Sequence, residues 1–480
     1  MPVSLLNHRS VTARACWEGL EFAAAPAAVL DALAAQPFPA MLESAAEDPR
    51  YGRYTVIACR PREIITLRKG RLLDRTGAEL PGRTVRRALR SALGTVRARG
   101  TAPVPYGPGW IGYIGYEFGR HLERLPGRAE RDTSLPDLHL AFYDATAVYD
   151  NIEKRWTLTW LAFDEPNLKR RESAEMLRKM LESAREETQV PKTCANPQTE
   201  WDKALKVSSN FSPEEYRRTI ARCIEYIAAG DIFQVNLSQR FTVADAPGPP
   251  AIYKALRRRN PAWYSAMLLF DDSAVISSSP ELFLRVRGRD VLTRPIKGTC
   301  RRTGRREDDA AAAAELLASE KDNAELAMII DLLRNDLGRV CRYGSVRVSN
   351  RRELETHPTV FHLVGSVVGE LCERFGPVDL LAATFPGGSI TGAPKIRAME
   401  IIDELEPVAR GVYTGSIGHI GADGNCELNI AIRTIVWDRG KAHIQVGGGI
   451  VADSTPEGEY TETLDKARAV LEAIAEAQRQ

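Results

Sequence analysis

The sequence predicts an α+β fold. Runs rich in β-branched and aromatic residues, such as SAVISSSPELFLRV (273–286), ELNIAIRTIVWD (427–438) and KAHIQVGGGIVA (441–452), are interleaved with amphipathic helical segments. No internal repeat of fixed period divides the chain, which argues against a solenoid. Its 480 residues suffice for two or three domains and a large core.

Residues 1–190 read as an N-terminal region of alternating strands and helices. It contains the glycine-rich stretch GPGWIGYIGYEFGR (107–120), whose spacing suggests close backbone packing, because no helix pattern follows that could hold a phosphate. A charged helical segment (168–187) runs into TQVPKTCANPQTE (188–200), and this shift in composition places a linker at 191–210. The second region, 211–480, opens on Ser212 as N-cap, Pro213 at the first helical position and Glu215 three residues after the cap, which predicts a helix running to Gly230.

Composition removes several function classes. The 65 basic and 63 acidic residues nearly cancel, so no global field draws the chain to nucleic acid or to an anionic membrane. Eight dispersed cysteines, with neither a CxxC pair nor metal-ligand spacing to histidine, point to a reduced cytoplasmic compartment. No apolar run approaches the roughly 18 residues of a membrane span.

Several segments carry polar groups in arrangements that suit chemistry. In PGGSITGAPKIRAMEIIDELEP (386–407) a glycine-rich loop enters a helix with Pro394 in its first turn, where free N–H groups favour an anion such as a carboxylate. Gly447, Gly448 and Gly449 end a strand and would admit a ligand carboxylate to main-chain amides. Glu459, Glu462 and Lys466 line one face of the following helix. Glu325 is expected in the first turn of an amphipathic helix, and carboxylates from two such helices suit a hard divalent cation. Glu281, at the head of an apolar run, would have a raised pKa and could serve as a general acid. Arg433 is expected on the strand face opposite Ile430 and Ile432, where it could fork a carboxylate. His362 reads as a core histidine, and Lys297 in TRPIKGTCRR (293–302), taken alone, as a surface charge.

Taken in order, PIKGT (295–299), KDNAELAMIIDLLRNDLGRV (321–340), FPGGSITGAPKIRAMEIIDELEP (385–407), GVYTGSIGHI (411–420), NIAIRT (429–434) and GGGIVADSTPEGEYTET (447–463) resemble the chorismate-utilising enzymes. That family includes anthranilate, aminodeoxychorismate, isochorismate and salicylate synthases. The resemblance is specific over 211–480 and looser over the first 190 residues, through MLESA and GWIGYIGYE.

It implies an anthranilate synthase component I-like fold, with a large, mostly antiparallel β-sandwich core and helices packed outside, and a chorismate-binding catalytic domain at 211–480. It also implies Mg2+, held by Glu325 and Glu462 with Glu459 acting through water. Gly447, Gly448, Gly449, Arg433, Tyr413 and Lys466 match positions that hold the carboxylates of chorismate. Ser389 and His362 match further pocket residues, and Glu281 matches the acid that protonates the departing 4-hydroxyl. Gln234 stands where isochorismate and salicylate synthases carry a water-activating lysine, so those two activities recede.

Lys297 stands where anthranilate synthases usually have alanine and aminodeoxychorismate synthases have lysine. The expected activity is therefore amination of chorismate at C4 through an adduct of Lys297 at C2, with anthranilate formation as the alternative. Ammonia is expected from a separate glutaminase subunit, because this chain has no Cys/His glutaminase signature, and release of p-aminobenzoate from another enzyme. Leu42, Glu43 and Ser44 resemble a tryptophan pocket found in the family.

Overall fold

The computed structural model describes all residues except 1–3, 8–9, 22–23, 166–167, 169–171, 185–200, 358–359 and 480, and the side chains of 202 and 203. The chain forms two large sheets, one of 13 strands and one of 11. Among the described strands the only parallel pairing joins Val11–Leu20 to Val96–Arg99.

The strands that matter for the site are β1 (Ala40–Glu43), β2 (Gly109–Ile114), β3 (Gln234–Val243), β4 (Tyr264–Leu269), β5 (Ile296–Arg301), β6 (Val360–Glu370), β7 (Ser416–Gly421), β8 (Cys426–Asn429), β9 (Thr434–Asp438) and β10 (Lys441–Ile450). The corresponding helices are α1 (Pro213–Ala228), α2 (Glu320–Gly338), α3 (Lys395–Leu405) and α4 (Pro456–Gln478). α1 starts as its sequence predicts: the Ser212 hydroxyl accepts from the Glu215 amide, and the Glu215 carboxylate accepts from the Ser212 amide.

The layering follows from strand alternation. Alternate residues such as Val56 and Ala58, Ala266 and Leu268, Ile111 and Tyr113 bury themselves between the two sheets. The opposite face of the 13-stranded sheet is covered by α4 through Ala467, Val470, Leu471 and Ile474. The opposite face of the 11-stranded sheet is covered by α2 through Leu326, Ile329, Ile330 and Leu333. Each such buried valine, leucine or isoleucine side chain contributes about 1.5–3 kcal/mol of transfer free energy.

Both regions of the chain supply strands to both sheets. β1 pairs with β4, Glu43 opposite Ser265, and β2 pairs with β7, Gly112 opposite Gly418. The expected division near 191–210 therefore falls between segments that are hydrogen-bonded strand to strand. Most of that stretch lies outside the described residues, but its end is structured: Trp201–Ala204 is a helical turn, and Val207–Ser209 is an edge strand on β3. The glycines of β2 and β7 serve close packing, as the sequence suggests. A Cβ on Gly112 would lie 2.0 Å from the His139 carbonyl oxygen, and one on Gly418 2.1 Å from that of Glu427.

Candidate active site

β5 is the edge strand of the smaller sheet, paired with β6, and its register shifts between Ile296 and Thr299. Gly298 at this irregularity has φ +77°, and a Cβ there would meet the Asp322 carboxylate at 3.0 Å, so only glycine fits comfortably. The break sends Lys297 toward the other sheet. Its Nζ lies 3.7 Å from Glu325 Oε2, and 3.2 Å from where a Cβ on Gly449 of β10 would sit. The side chain is only 12 % exposed. Burial pushes its pKa below the usual lysine range; Glu325 opposes this, while Lys466 adds to it.

Gln234, at the start of β3, completes this corner. Its Nε2 donates to Glu325 Oε2 at 3.3 Å and lies 2.3 Å from the position of a Gly449 Cβ. Its buried Oε1 has no hydrogen-bond partner among the described residues. Glu325 is the sixth residue of α2, since the helix begins at Glu320 under a Ser319 cap. It therefore sits in the second turn and not the first, and faces Lys297 and Gln234 instead of serving the helix dipole.

Glu281 is 4 % exposed and accepts a hydrogen bond from Ser389 Oγ at 2.5 Å. Burial pushes its carboxyl up to about 7, against the opposing pull of Ser389 and Lys297. Ser389 lies in the turn Gly388–Ile390. The loop after it departs from expectation: Gly392–Ala393 pair with Gln234–Val235 as a short strand, and Pro394 is the cap residue before α3. In this pairing the Thr391 and Ala393 carbonyls accept the Asn236 and Phe233 amides, and the loop contributes the Ser389 hydroxyl.

The triple glycine lies on β10, opposite Asn236–Ser238 of β3. A Cβ on Gly448 would come within 2.7 Å of Glu459 Oε2 and 3.7 Å of Glu462 Oε1, and one on Gly447 within 2.4 Å of the Leu237 carbonyl oxygen. Glu459, Glu462 and Lys466 project from α4 as their spacing predicts. Lys466 Nζ pairs with Glu462 at 2.6 Å and donates to the Gly447 carbonyl at 2.9 Å. Glu459 Oε1 accepts from Ser454 Oγ at 2.6 Å, while its buried Oε2 has no hydrogen-bond partner among the described residues. Burial raises the Glu459 carboxyl. For Glu462 burial also raises, but Lys466, Lys321 and Lys297 outweigh it and hold the group below the usual range.

Arg433 corrects the strand-face expectation. It lies between β8, in the smaller sheet, and β9, in the larger, where the chain crosses from one to the other with φ +49° at Arg433 itself. Side-chain alternation does not continue through such a crossing. Burial lowers its pKa to about 10, and it forms no salt bridge with a described residue. It acts on His362 of β6, whose pKa is driven down by burial first and by Arg433 next. His362 Nδ1 lies 2.8 Å from Thr299 Oγ1 of β5, and its buried Nε2 has no partner among the described residues. Tyr413 is buried beside Asn236, and burial raises its phenol.

Three buried polar atoms without partners, on Gln234, His362 and Glu459, are a liability in an empty core and an asset where a polar ligand docks. Leu42, Glu43 and Ser44 lie elsewhere, on and just after β1. Glu43 accepts from the Tyr253 hydroxyl at 2.6 Å and from Arg257 Nη2 at 2.7 Å, and Ser44 Oγ donates to the Trp263 carbonyl at 3.0 Å.

The family profile for chorismate binding enzymes matches residues 41–472. The chain belongs to the chorismate-binding enzyme family. It is 40 % identical over 446 residues to anthranilate synthase component 1 of Acetivibrio thermocellus, covering 91 % of this chain and 90 % of that one. It is 37 % identical over 449 residues to aminodeoxychorismate synthase component 1 of Klebsiella aerogenes, covering 92 % and 95 %. The crystal structure of anthranilate synthase component I from Streptococcus pneumoniae matches with a TM-score of 0.76 at 32 % identity, covering 89 % of this chain and 93 % of that one. The antiparallel sheets with outer helices are therefore those of this chorismate-binding fold, as the motifs implied.

No described helix is long and apolar enough to cross a membrane, and all seven described cysteines are free thiols. Two features of the site escaped sequence reasoning. Lys395 Nζ ties Asp336 of α2, at 2.5 Å, to the Thr384 carbonyl at 2.8 Å. Arg410 pairs with Glu406 in the interior. The only signal for the second is an i,i+4 pair of opposite charges in the segment ELEPVAR, where the helix pattern has already ended.

Proposed function

We propose that this chain converts chorismate and ammonia into 4-amino-4-deoxychorismate, with Lys297 as nucleophile. The observation that carries the reading is the placement of the Lys297 amine: largely buried, with its charged form disfavoured, beside the triple glycine and within the electrostatic reach of Glu281. Replacing a hydroxyl by an amine at C4 with retention is reached by two displacements. In the first, the neutral amine of Lys297 forms a C–N bond at C2, the ring double bonds shift, and the 4-hydroxyl leaves as water with the proton of Glu281. In the second, ammonia bonds to C4, the double bonds shift back, and the Lys297 nitrogen departs from C2. Gln234 has no basic group and so leaves water unactivated.

Arg433, Lys466, Tyr413, Ser389, His362 and the amides of Gly447–Gly449 would receive the two carboxylates and the ring. Glu325, Glu459 and Glu462 are the residues that would hold Mg2+. The partnerless Glu459 Oε2 beside Glu462 fits that role, although among the described residues no three acids, histidines or cysteines already converge on one point. Bound there, the cation would supply positive charge to a substrate carboxylate. Ammonia would come from a glutaminase subunit, and p-aminobenzoate for folate would be released by a further enzyme.

Anthranilate formation is the second reading, favoured by the 40 % identity to the Acetivibrio protein. There ammonia itself must add at C2, where an amine from Lys297 would compete. At Leu42–Ser44, which resembles a tryptophan pocket, the α-ammonium of a bound tryptophan would have to displace Arg257 from Glu43. Turnover of chorismate is accordingly expected to be insensitive to added tryptophan in an initial-rate assay.

The covalent route is tested by mixing the chain with chorismate and Mg2+ without ammonia, quenching with acid, and mapping peptides by mass. The peptide containing Lys297 should gain the mass of chorismate less one water. Consumption of chorismate with that peptide unmodified would count against the route.

A further inference from the structure

The Arg410–Glu406 pair lies behind the site, with both side chains at most 2 % exposed. Glu406 takes Arg410 Nε at 2.9 Å and Nη2 at 2.7 Å, and its Oε1 also accepts the Ser238 amide at 2.8 Å and the Ser238 hydroxyl at 2.7 Å. The remaining guanidinium donors leave the pair. Nη1 donates to the Ile390 carbonyl at 3.0 Å and to Thr414 Oγ1 at 3.3 Å, and Nη2 to the Asn236 carbonyl. The guanidinium Cζ lies 4.7 Å from the Tyr116 ring centre and 5.8 Å from that of Tyr413.

Each of those acceptors neighbours a residue of the site. Ile390 follows Ser389, which donates to Glu281; Asn236 lies two residues after Gln234 and opposite Gly449; Thr414 follows Tyr413. A buried ion pair is weak evidence for stability, because apolar replacements of similar volume are often neutral or better. A planar fork with five donors is the side chain suited to fixing several carbonyls at once, which lysine is not.

We propose that Arg410, with Glu406 as its counter-charge, is a positioning residue: it holds the Ser389 turn, the start of β3 and Tyr413 in one fixed arrangement. The proposal rests on the reading of Glu281 as proton donor. It does not depend on which product forms, since the loss of the 4-hydroxyl is common to both readings.

Two variants test it, Arg410→Lys and the paired Arg410→Met with Glu406→Gln, the second leaving no unpaired buried charge should the first fold poorly. Chorismate disappearance is followed against pH, with folding checked by circular dichroism. The expected result is a folded protein whose kcat falls about 10- to 100-fold through misplaced groups. Its alkaline pH limb moves upward, because Ser389 no longer holds the Glu281 carboxylate. Besides Ser389, the groups facing Glu281 are Lys297 and the Ile296 backbone, and both remain in these variants. Glu117, which accepts the Arg410 and Gly411 amides, also remains. A folded variant with unchanged kcat, or with reduced kcat and an unmoved limb, would overturn the proposal. Anthranilate from the wild-type chain would sink the amination reading and leave this one standing.

Discussion

Lys297→Ala is expected to lower formation of aminodeoxychorismate by about 10³-fold or more while leaving the protein folded. The loss is large because nothing else in the site offers a neutral amine: Lys466 is committed to Glu462 and the Gly447 carbonyl. The fold should survive because Lys297 lies on an edge strand and its salt-bridge partner, Glu325, keeps the amide of Gln234. Lys297→Arg separates charge from nucleophilicity. A guanidinium stays protonated throughout the accessible pH range, so arginine should be as inactive as alanine. The check is product quantification by mass spectrometry at saturating ammonium. Activity restored by arginine would assign Lys297 an electrostatic role instead.

Glu281→Gln should lower kcat for chorismate consumption by about 10²- to 10⁴-fold, the usual worth of a positioned proton donor. The pH dependence gives the sign. A donor works when protonated, and burial pushes this carboxyl up to about 7, so wild-type kcat should fall as pH rises through about 7. Glutamine removes that limb, so the low residual rate should no longer fall as pH rises through about 7. Ser389→Ala should move the limb upward, since the lost hydrogen bond stabilises the charged form. A limb near 7 that persisted in Glu281→Gln would assign it to another group. Glu117, also raised to about 7 by burial, would be the first to examine.

What was legible in the sequence was local. The Ser212/Glu215 capping box, the single face shared by Glu459, Glu462 and Lys466, and the packing role of Gly112 all follow from spacing along one element. The glycines at 447–449 suggest close approach by a ligand carboxylate. What the sequence does not show is that the protein's own groups crowd them too, the Glu459 carboxylate at Gly448 and the ends of Gln234 and Lys297 at Gly449.

The rest depends on the two sheets meeting, which no window of sequence contains. Lys297 and Gly449 belong to different sheets, so the lysine reads as a surface charge until they are brought together. Arg433 reads as a strand residue because an apolar alternation runs unbroken through NIAIRTIV, although the chain changes sheet there. Glu325 reads as a first-turn acid, whereas the Ser319 cap starts the helix early enough to put it in the second turn. Arg410 is illegible in the sequence because two of its acceptors, the Ile390 and Asn236 carbonyls, are backbone groups that carry no sequence signature.

The central claim is that this site aminates chorismate at C4. The most direct measurement gives the purified chain chorismate, Mg2+ and an ammonium salt, and identifies the product by mass spectrometry beside Lys297→Ala. Aminodeoxychorismate from the wild type and none from the variant is the predicted result; anthranilate from the wild type would contradict it.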